Sequence, residues 1–324
     1  MSPEFPWNDL TPLGPNRVKV RVPAKINLTL NVGQRADDGY HPLLTVFQAV
    51  GLYDEITAMP VLGGVISVLV RGAQAHLVPT DGTDLGAQAA RLLRSRYGLP
   101  SYGASIEIDK QIPVAGGMAG GSADAAGTLV ACSELWGLEL SPNELQLLAA
   151  ELGSDVPFSL NGGTVIAHGR GTDMVPLMCR GTYYWALAFA ETGLSTPAVF
   201  QRFDELNGAA APKRPADVPH ELLAALIAGD AKTLGKMLSN DLEPAALDLC
   251  PALADTLAYG RSYPGVLGGL VSGSGPTCAF LVENPRALAD LVGELRVLPR
   301  VRAAVGVTAP ARGAHLISAH SSAA

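Results

Sequence analysis

Ile112-Pro-Val-Ala-Gly-Gly-Met-Ala-Gly-Gly-Ser-Ala-Asp-Ala-Ala126 is the stretch on which the reading of this chain turns. Its four glycines, Gly116, Gly117, Gly120 and Gly121, lack a Cβ and so let backbone N–H groups come close to a ligand. Residues 105–112 before it read as a strand, and residues 122–135 after it are compatible with a helix. A helix starting at such a loop aims unpaired N–H groups and its positive dipole end into the loop, which makes an anion site. A plain tight turn between strand and helix is the simpler alternative, and glycines alone do not separate the two. Two familiar phosphate motifs are missing. There is no GxxxxGK[ST], and the spacing is not the GxGxxG of a dinucleotide fold.

Working outward, residues 17–22 alternate basic and apolar (Arg-Val-Lys-Val-Arg-Val), the period of a half-buried strand. Residues 24–32, 46–57 and 65–70 continue the extended pattern. A helix fits residues 84–97, with Leu85, Ala89, Leu92 and Leu93 on one face and Gly98 and Pro100 as its stop. Ser141-Pro-Asn-Glu144 predicts a capped helix that ends at Gly153, and residues 162–168 read as a strand. Beyond residues 179–195 the chain alternates helices (221–228, 231–238, 251–260, 285–297) with strands (278–282, 303–307). Strands and helices mix in both halves without repeated βαβ spacing, so the expected class is α+β in two domains. The expected division is an N-terminal extension (1–16), an N-terminal domain (17–180), a C-terminal domain (181–311) and a flexible tail (312–324) of small and polar residues.

Bulk composition narrows the function classes. The 324 residues are 48% hydrophobic and 16% charged, ample for a core and unlike a disordered chain. A net charge of −7 argues against a broad basic face for nucleic acid or an anionic membrane. Cys132, Cys179, Cys250 and Cys278 are scattered without a CxxC pair, as reduced structural thiols would be. The start of the chain has no basic, apolar leader pattern, and the longest apolar run is far short of the ~20 residues of a membrane helix. A cytoplasmic protein, monomeric or weakly dimeric, is expected.

The glycine-rich run resembles the second motif of the GHMP kinase superfamily, and two more motifs stand in the expected order. Val22-Pro-Ala-Lys-Ile-Asn-Leu28 is similar to the first, and Val271-Ser-Gly-Ser-Gly-Pro-Thr277 to the third. Asp38-Gly-Tyr-His41, Leu152-Gly-Ser-Asp-Val-Pro-Phe158 and Asn240-Asp-Leu-Glu-Pro244 resemble the branch that acts on a cytidine diphosphate-linked methylerythritol. The resemblance implies the two-domain GHMP kinase fold with the active site in the interdomain cleft. It also implies transfer of the γ-phosphoryl group of ATP, with Mg2+, to the 2-hydroxyl of the methylerythritol unit in non-mevalonate isoprenoid biosynthesis. Ala115, Ala119 and Ala123 depart from the second motif, where glycine, glycine and serine are common. Alanine lacks glycine's left-handed freedom, so ordinary φ angles are expected there.

By the same resemblance Asp155 is the general base and Lys25 its partner. Asp155 follows the stop at Gly153, where a new helix or turn and the nearby lysine would keep its carboxylate ionised; a bare helix cap is the alternative. Lys25 lies in an apolar run, so it needs a partner. The implied ATP-binding residues are Pro113, Val114, Ala115, Gly116, Gly117, Met118, Ala119, Gly120, Gly121 and Ser122, with residues 79–85 flanking the adenine. Tyr40 and Phe200 would stack on the cytosine and His41 would contact it, while Asn27 would lie near the methylerythritol hydroxyls. Gly273, Ser274 and Gly275 would close on the substrate. Mg2+ would be held chiefly by phosphates and water, and no residue is singled out as its ligand. Rival readings are a homoserine- or mevalonate-type kinase of the same superfamily, and a non-catalytic metabolite binder on the same fold. The 38–41 and 152–158 runs oppose the first, and the intact Lys25 and Asp155 oppose the second.

Overall fold

In the computed structural model, residues 15–79 and 81–320 are described, so nearly all of the expected N-terminal extension lies outside the described residues. β1 (Arg17–Val32) and β2 (Leu43–Leu62) form a long antiparallel pair. The sequence pattern separates residues 17–22 from 24–32, yet the two are one strand whose register shifts between Pro23 and Ala24. Proline has no N–H to donate to the ladder, so a break in pairing falls naturally beside it. Before Pro23 the strand alternates, with Val18, Val20 and Val22 buried and Lys19 and Arg21 reaching Glu55. After it every residue is buried.

That second half is buried because neighbours close on it from several sides. The sheet continues through β3 (Ile66–Arg71) and β4 (Tyr102–Asp109), with β5 (Thr164–Gly169) and β6 (Asp173–Pro176) paired beyond β2. Helices α1 (Leu85–Arg96) and α2 (Gly120–Leu135) pack against one another and α2 against β1 and β2. Ser141 and Glu144 form the expected capping box on α3 (Pro142–Leu152), and α4 (Val156–Asn161) follows at once.

The second sheet is wholly antiparallel, in the order β11 (Val301–Ala309), β7 (Tyr183–Ala190), β10 (Cys278–Val282), β9 (Val266–Val271). Around it lie α5 (Thr196–Asn207), α6 (His220–Ala228), α7 (Ala231–Met237), α8 (Glu243–Leu249), α9 (Ala252–Ser262) and α10 (Pro285–Leu295). One apolar cluster runs from Val22, Ile56 and Leu129 in the first half to Trp185, Leu187 and Leu270 in the second. A mixed α+β chain built on two sheets is therefore what the residues form. Two short segments return to the first sheet: β8 (Ser239–Asn240) runs parallel to β1, and β12 (His315–His320) pairs antiparallel with its outer half.

β12 corrects the expectation of a flexible tail (312–324) for residues 315–320, and residues 321–324 lie outside the described residues. His-Leu-Ile-Ser-Ala-His carries no strong strand pattern, and the unpaired edge of β1 recruits it. β9 also escapes the pattern, since Gly268 and Gly269 interrupt it.

α2 approaches the sheet closely at Gly127, where a Cβ would lie 2.5 Å from Ile56 Cδ1 and 2.6 Å from Val22 Cγ2. Helix propensity alone favours valine over glycine there. Gly127→Val is instead expected to cost about 1–3 kcal/mol through overpacking, read as a lower urea midpoint. A raised midpoint would show that the approach tolerates a side chain.

Candidate active site

Lys25 sits in the buried half of β1, only 7% exposed. Its ammonium donates to Asn27 Oδ1 at 2.8 Å and stands 4.9 Å above the centre of the Phe47 ring. Asn27 Nδ2 donates to Thr45 Oγ1 at 2.8 Å, and that hydroxyl donates to the Thr29 carbonyl at 2.6 Å. The chain of donors fixes which way the Asn27 oxygen points, and so where the lysine head rests. Burial lowers the Lys25 pKa, and the charge of Asp155 works in the opposite direction.

Asp155 stands between Gly153, where α3 stops, and the first residue of α4. Its side chain makes no capping hydrogen bond, so the bare-cap alternative is not what the carboxylate does. Its Oδ2 lies 3.9 Å from Lys25 Nζ. At that separation the two charges attract but do not consume one another, and a hydroxyl between them can donate to the carboxylate and accept from the ammonium.

Both groups open into a cavity of about 550 Å3 between the two halves of the chain. Pro113, Val114, Ala115, Gly116, Gly117, Ala119, Gly120 and Gly121 line it, as do Asn27, Phe200, Gly273 and Ser274. Met118 and Ser122 do not: the Met118 side chain is buried in the core, while its carbonyl accepts from Lys25 N at 3.3 Å. Gly275 is also outside the lining, though its N–H donates to the Ser272 carbonyl and closes the third-motif turn. Pro79, Thr83, Asp84 and Leu85 form part of the wall, while residue 80 of that segment is outside the described residues.

The phosphate-loop candidate departs from expectation in its backbone. Ala115 has φ 51° and Ala119 φ 58°, so both alanines are left-handed rather than ordinary. Local preference loses because the loop's path is held from outside. Gly117, at φ 73°, packs directly against the Ser272 carbonyl, and Ser272 Oγ donates to the Gly117 carbonyl at 3.2 Å. Ala119 then serves as the N-cap of α2, whose first residues face the cavity. Ala123 has no such strain and lies buried inside the helix.

Behind the loop lies a buried cluster that motif reading passed over. Lys110 Nζ is 2.6 Å from Asp54 Oδ2, 2.8 Å from Asp124 Oδ2 and donates to the Gly120 carbonyl at 3.1 Å. Asp54 Oδ1 accepts from the N–H groups of Gln111 and Ile112. Burial works against the Lys110 charge, but Asp124 and Asp54 outweigh it and raise its pKa; burial pushes the Asp124 carboxyl well up. Among the described residues the buried Asp124 Oδ1 has no hydrogen-bond partner, and Asp124 is part of the cavity wall. The one available signal was a charged residue inside the alanine-rich start of α2.

A second cavity, of about 560 Å3, adjoins the first and shares Leu43, Ser154, Arg170, Thr196 and Phe200 with it. Tyr40 and His41 line it, at the end of the β1–β2 connection. Tyr40 is 56% exposed, with the Arg170 guanidinium 3.8 Å over its ring and a 2.7 Å ion pair from Arg170 to Asp38. His41 is buried and stacks on Phe200 with centroids 5.0 Å apart. Arg170 had no sequence signal, because it lies in the turn between β5 and β6 and meets both cavities only through the fold.

On the other side of the cleft, Asn240 donates to the carbonyls of Val271 and Gly273, both at 2.7 Å, while Thr196 Oγ1 and Ser274 Oγ share a 2.8 Å hydrogen bond.

Two expectations follow. Ala119→Gly removes a left-handed alanine, which costs about 1–2 kcal/mol, at the expense of a more flexible unfolded chain. A net gain of about 0.5–1 kcal/mol in urea unfolding is expected, and a loss would show the position unstrained. Lys110→Met leaves two buried carboxylates without their cation and should destabilise by about 3–5 kcal/mol, read in the same titration; a near-neutral effect would show that the triad does not hold the loop.

Family models for the GHMP kinases N terminal domain and the GHMP kinases C terminal match residues 84–163 and 222–296. A 4-diphosphocytidyl-2-C-methyl-D-erythritol kinase of Cutibacterium acnes is 49% identical over 93% of this chain and 97% of its own length. Its counterpart in Streptomyces coelicolor is 51% identical over 91% and 98%. A crystal structure of 4-(cytidine 5'-diphospho)-2C-methyl-D-erythritol kinase superposes with a TM-score of 0.73 at 32% identity, over 89% of this chain and 98% of that one. Homoserine kinase from Cytophaga hutchinsonii shares the fold at a TM-score of 0.71 but only 17% identity, over 97% and 100%. The chain belongs to the GHMP kinases, ATP-dependent enzymes, and within them to the 4-diphosphocytidyl-2-C-methyl-D-erythritol kinase family.

Proposed function

We propose that this enzyme transfers the γ-phosphoryl group of ATP to the 2-hydroxyl of 4-diphosphocytidyl-2-C-methyl-D-erythritol, a step of non-mevalonate isoprenoid biosynthesis. The carrying observation is the Lys25–Asp155 pair, 3.9 Å apart, in a cavity that the glycine-rich loop lines and that adjoins an aromatic pocket. The relatives' names supply the substrate, and the pocket chemistry agrees with it.

In this reading the acceptor hydroxyl lies between Lys25 and Asp155. Asp155 takes its proton as the oxygen attacks the γ-phosphorus, the bond to the β–γ bridging oxygen breaks, and ADP leaves. Lys25 stabilises the oxygen as charge develops on it. Phosphoryl transfer has a loose transition state with charge on its equatorial oxygens, so most of the work is positioning and neutralisation. The N–H groups at the start of α2 and along residues 113–121 serve the triphosphate. Mg2+ fits as an ion carried by the triphosphate. Among the described residues no cluster of three acidic, histidine or cysteine ligands stands ready, but Asp155 offers hard oxygen atoms on the wall.

Tyr40, His41 and Phe200 receive the cytosine, and Arg170, which lines both cavities, is placed for the diphosphate between base and alcohol. Asn27 and the turn at Gly273 and Ser274 meet the methylerythritol end, with Gly275 closing that turn. The assigned setting is cytoplasmic, as a monomer or weak homodimer.

A coupled assay of ADP release with MgATP decides between acceptors. Turnover is expected on the cytidine compound and not on homoserine or mevalonate, and the reverse would overturn the reading. In the same assay Asp155→Asn should lower kcat by roughly 10²–10⁴-fold while leaving both KM values close to wild type. Wild-type turnover in that variant would remove Asp155 as the base.

A further inference from the structure

Helix α5 presents three side chains to one imidazole. Phe200 stacks on His41 with rings 5.0 Å apart and 28° from parallel, and Phe203 meets it edge-on at 5.9 Å. Asp204 Oδ1 lies 2.7 Å from His41 Nε2. Positions 200, 203 and 204 share a helix face, as i, i+3 and i+4 do. The ring is thus held in plane by one neighbour, at its edge by another and at one nitrogen by a third.

Chemistry settles which nitrogen carries the hydrogen. An ionised carboxylate only accepts, so Nε2 donates to Asp204. In a neutral ring the other nitrogen, Nδ1, then keeps its lone pair and accepts. Nδ1 has no hydrogen-bond partner among the described residues, and His41 is part of the wall of the aromatic cavity. A base stacked in that cavity beside the imidazole therefore meets an acceptor. The 4-amino group of cytosine donates to it, whereas uracil offers a carbonyl oxygen at the same place, lone pair against lone pair.

Resting on the cytidine reading of this site, we propose that Asp204 is a positioning residue that sets base specificity by holding His41 in the Nε2–H form. Removal of Asp204 frees the ring to carry its hydrogen on Nδ1, which a uracil carbonyl accepts. The side chain of Asp204 lies partly in solvent on a surface helix, so its loss leaves the core untouched.

Nitrogen-15 NMR of the full chain with labelled histidine, the His41 signals assigned through a His41→Gln variant, reads the ring directly. A protonated Nε2 with an unprotonated Nδ1 at neutral pH is expected; hydrogen on Nδ1, in a neutral or a charged ring, would overturn the proposal. Kinetics test the consequence. In Asp204→Ala the preference in kcat/KM for the cytidine-linked acceptor over its uridine-linked counterpart should fall about tenfold, the worth of one hydrogen bond. The change should appear in KM for the acceptor, with KM for ATP held, and Asp204→Glu should restore most of it. An unchanged preference would overturn the proposal. A wild type inactive on the cytidine acceptor would count against the proposed function instead, and the NMR arm would still decide the state of His41.

Discussion

One buried ammonium holds the glycine-rich loop to the sheet. Lys110 stands just after β4 and meets Asp54 from β2, Asp124 from α2 and the carbonyl of Gly120 at the helix start. Taking an ammonium and two carboxyl groups out of water is costly, and the arrangement survives because Lys110 faces both acids and the remaining Asp54 oxygen accepts two backbone hydrogens. The reward is geometric. Strand end, loop and helix start share one fixed point, so the N–H groups of α2 cannot drift relative to Lys25 on β1. Electrostatic preorganisation of this kind needs rigid dipoles, and a glycine-rich loop without an anchor would not supply them.

The same logic runs through the opposite wall. Asn240 holds two carbonyls of the third motif, those of Val271 and Gly273, and Ser272 ties the turn to Gly117. The turn then sits beside Lys25 and Asn27. The glycine-rich loop and the third-motif turn are therefore one unit across the cleft, although about 150 residues separate them in the chain. The left-handed alanines, Ala115 and Ala119, are the local cost of this closure.

Local patterns carried much of the fold. The alternation of residues 17–22, the capping box at Ser141 and the helices 84–97 and 122–135 rest on periodicity and capping, which act within a few residues. They reappear in the structure with shifted ends. The failures share a cause. β12 exists because β1 had a free edge, β1 runs through Pro23 because β2 pairs on both sides of it, and the alanine φ angles follow from contacts with a distant turn. None of these partners lies within the window that a local pattern can see.

The site divides along the same line. Lys25, Asp155 and the glycine loop were legible because their types and order make a motif. Lys110, Asp54, Asp124, Arg170 and Asp204 were not, because each acts through a neighbour brought in from 14 to 163 positions away: Asp124 to Lys110 is 14, and Asp204 to His41 is 163. By itself the sequence determined most of the helices and strands and which residues stand as candidates for phosphate chemistry, since backbone propensity and side-chain type are local properties. Only the tertiary structure decided which charges are buried together, which alanines are strained and how the imidazole of His41 is held, since desolvation and Coulomb attraction depend on distances in space.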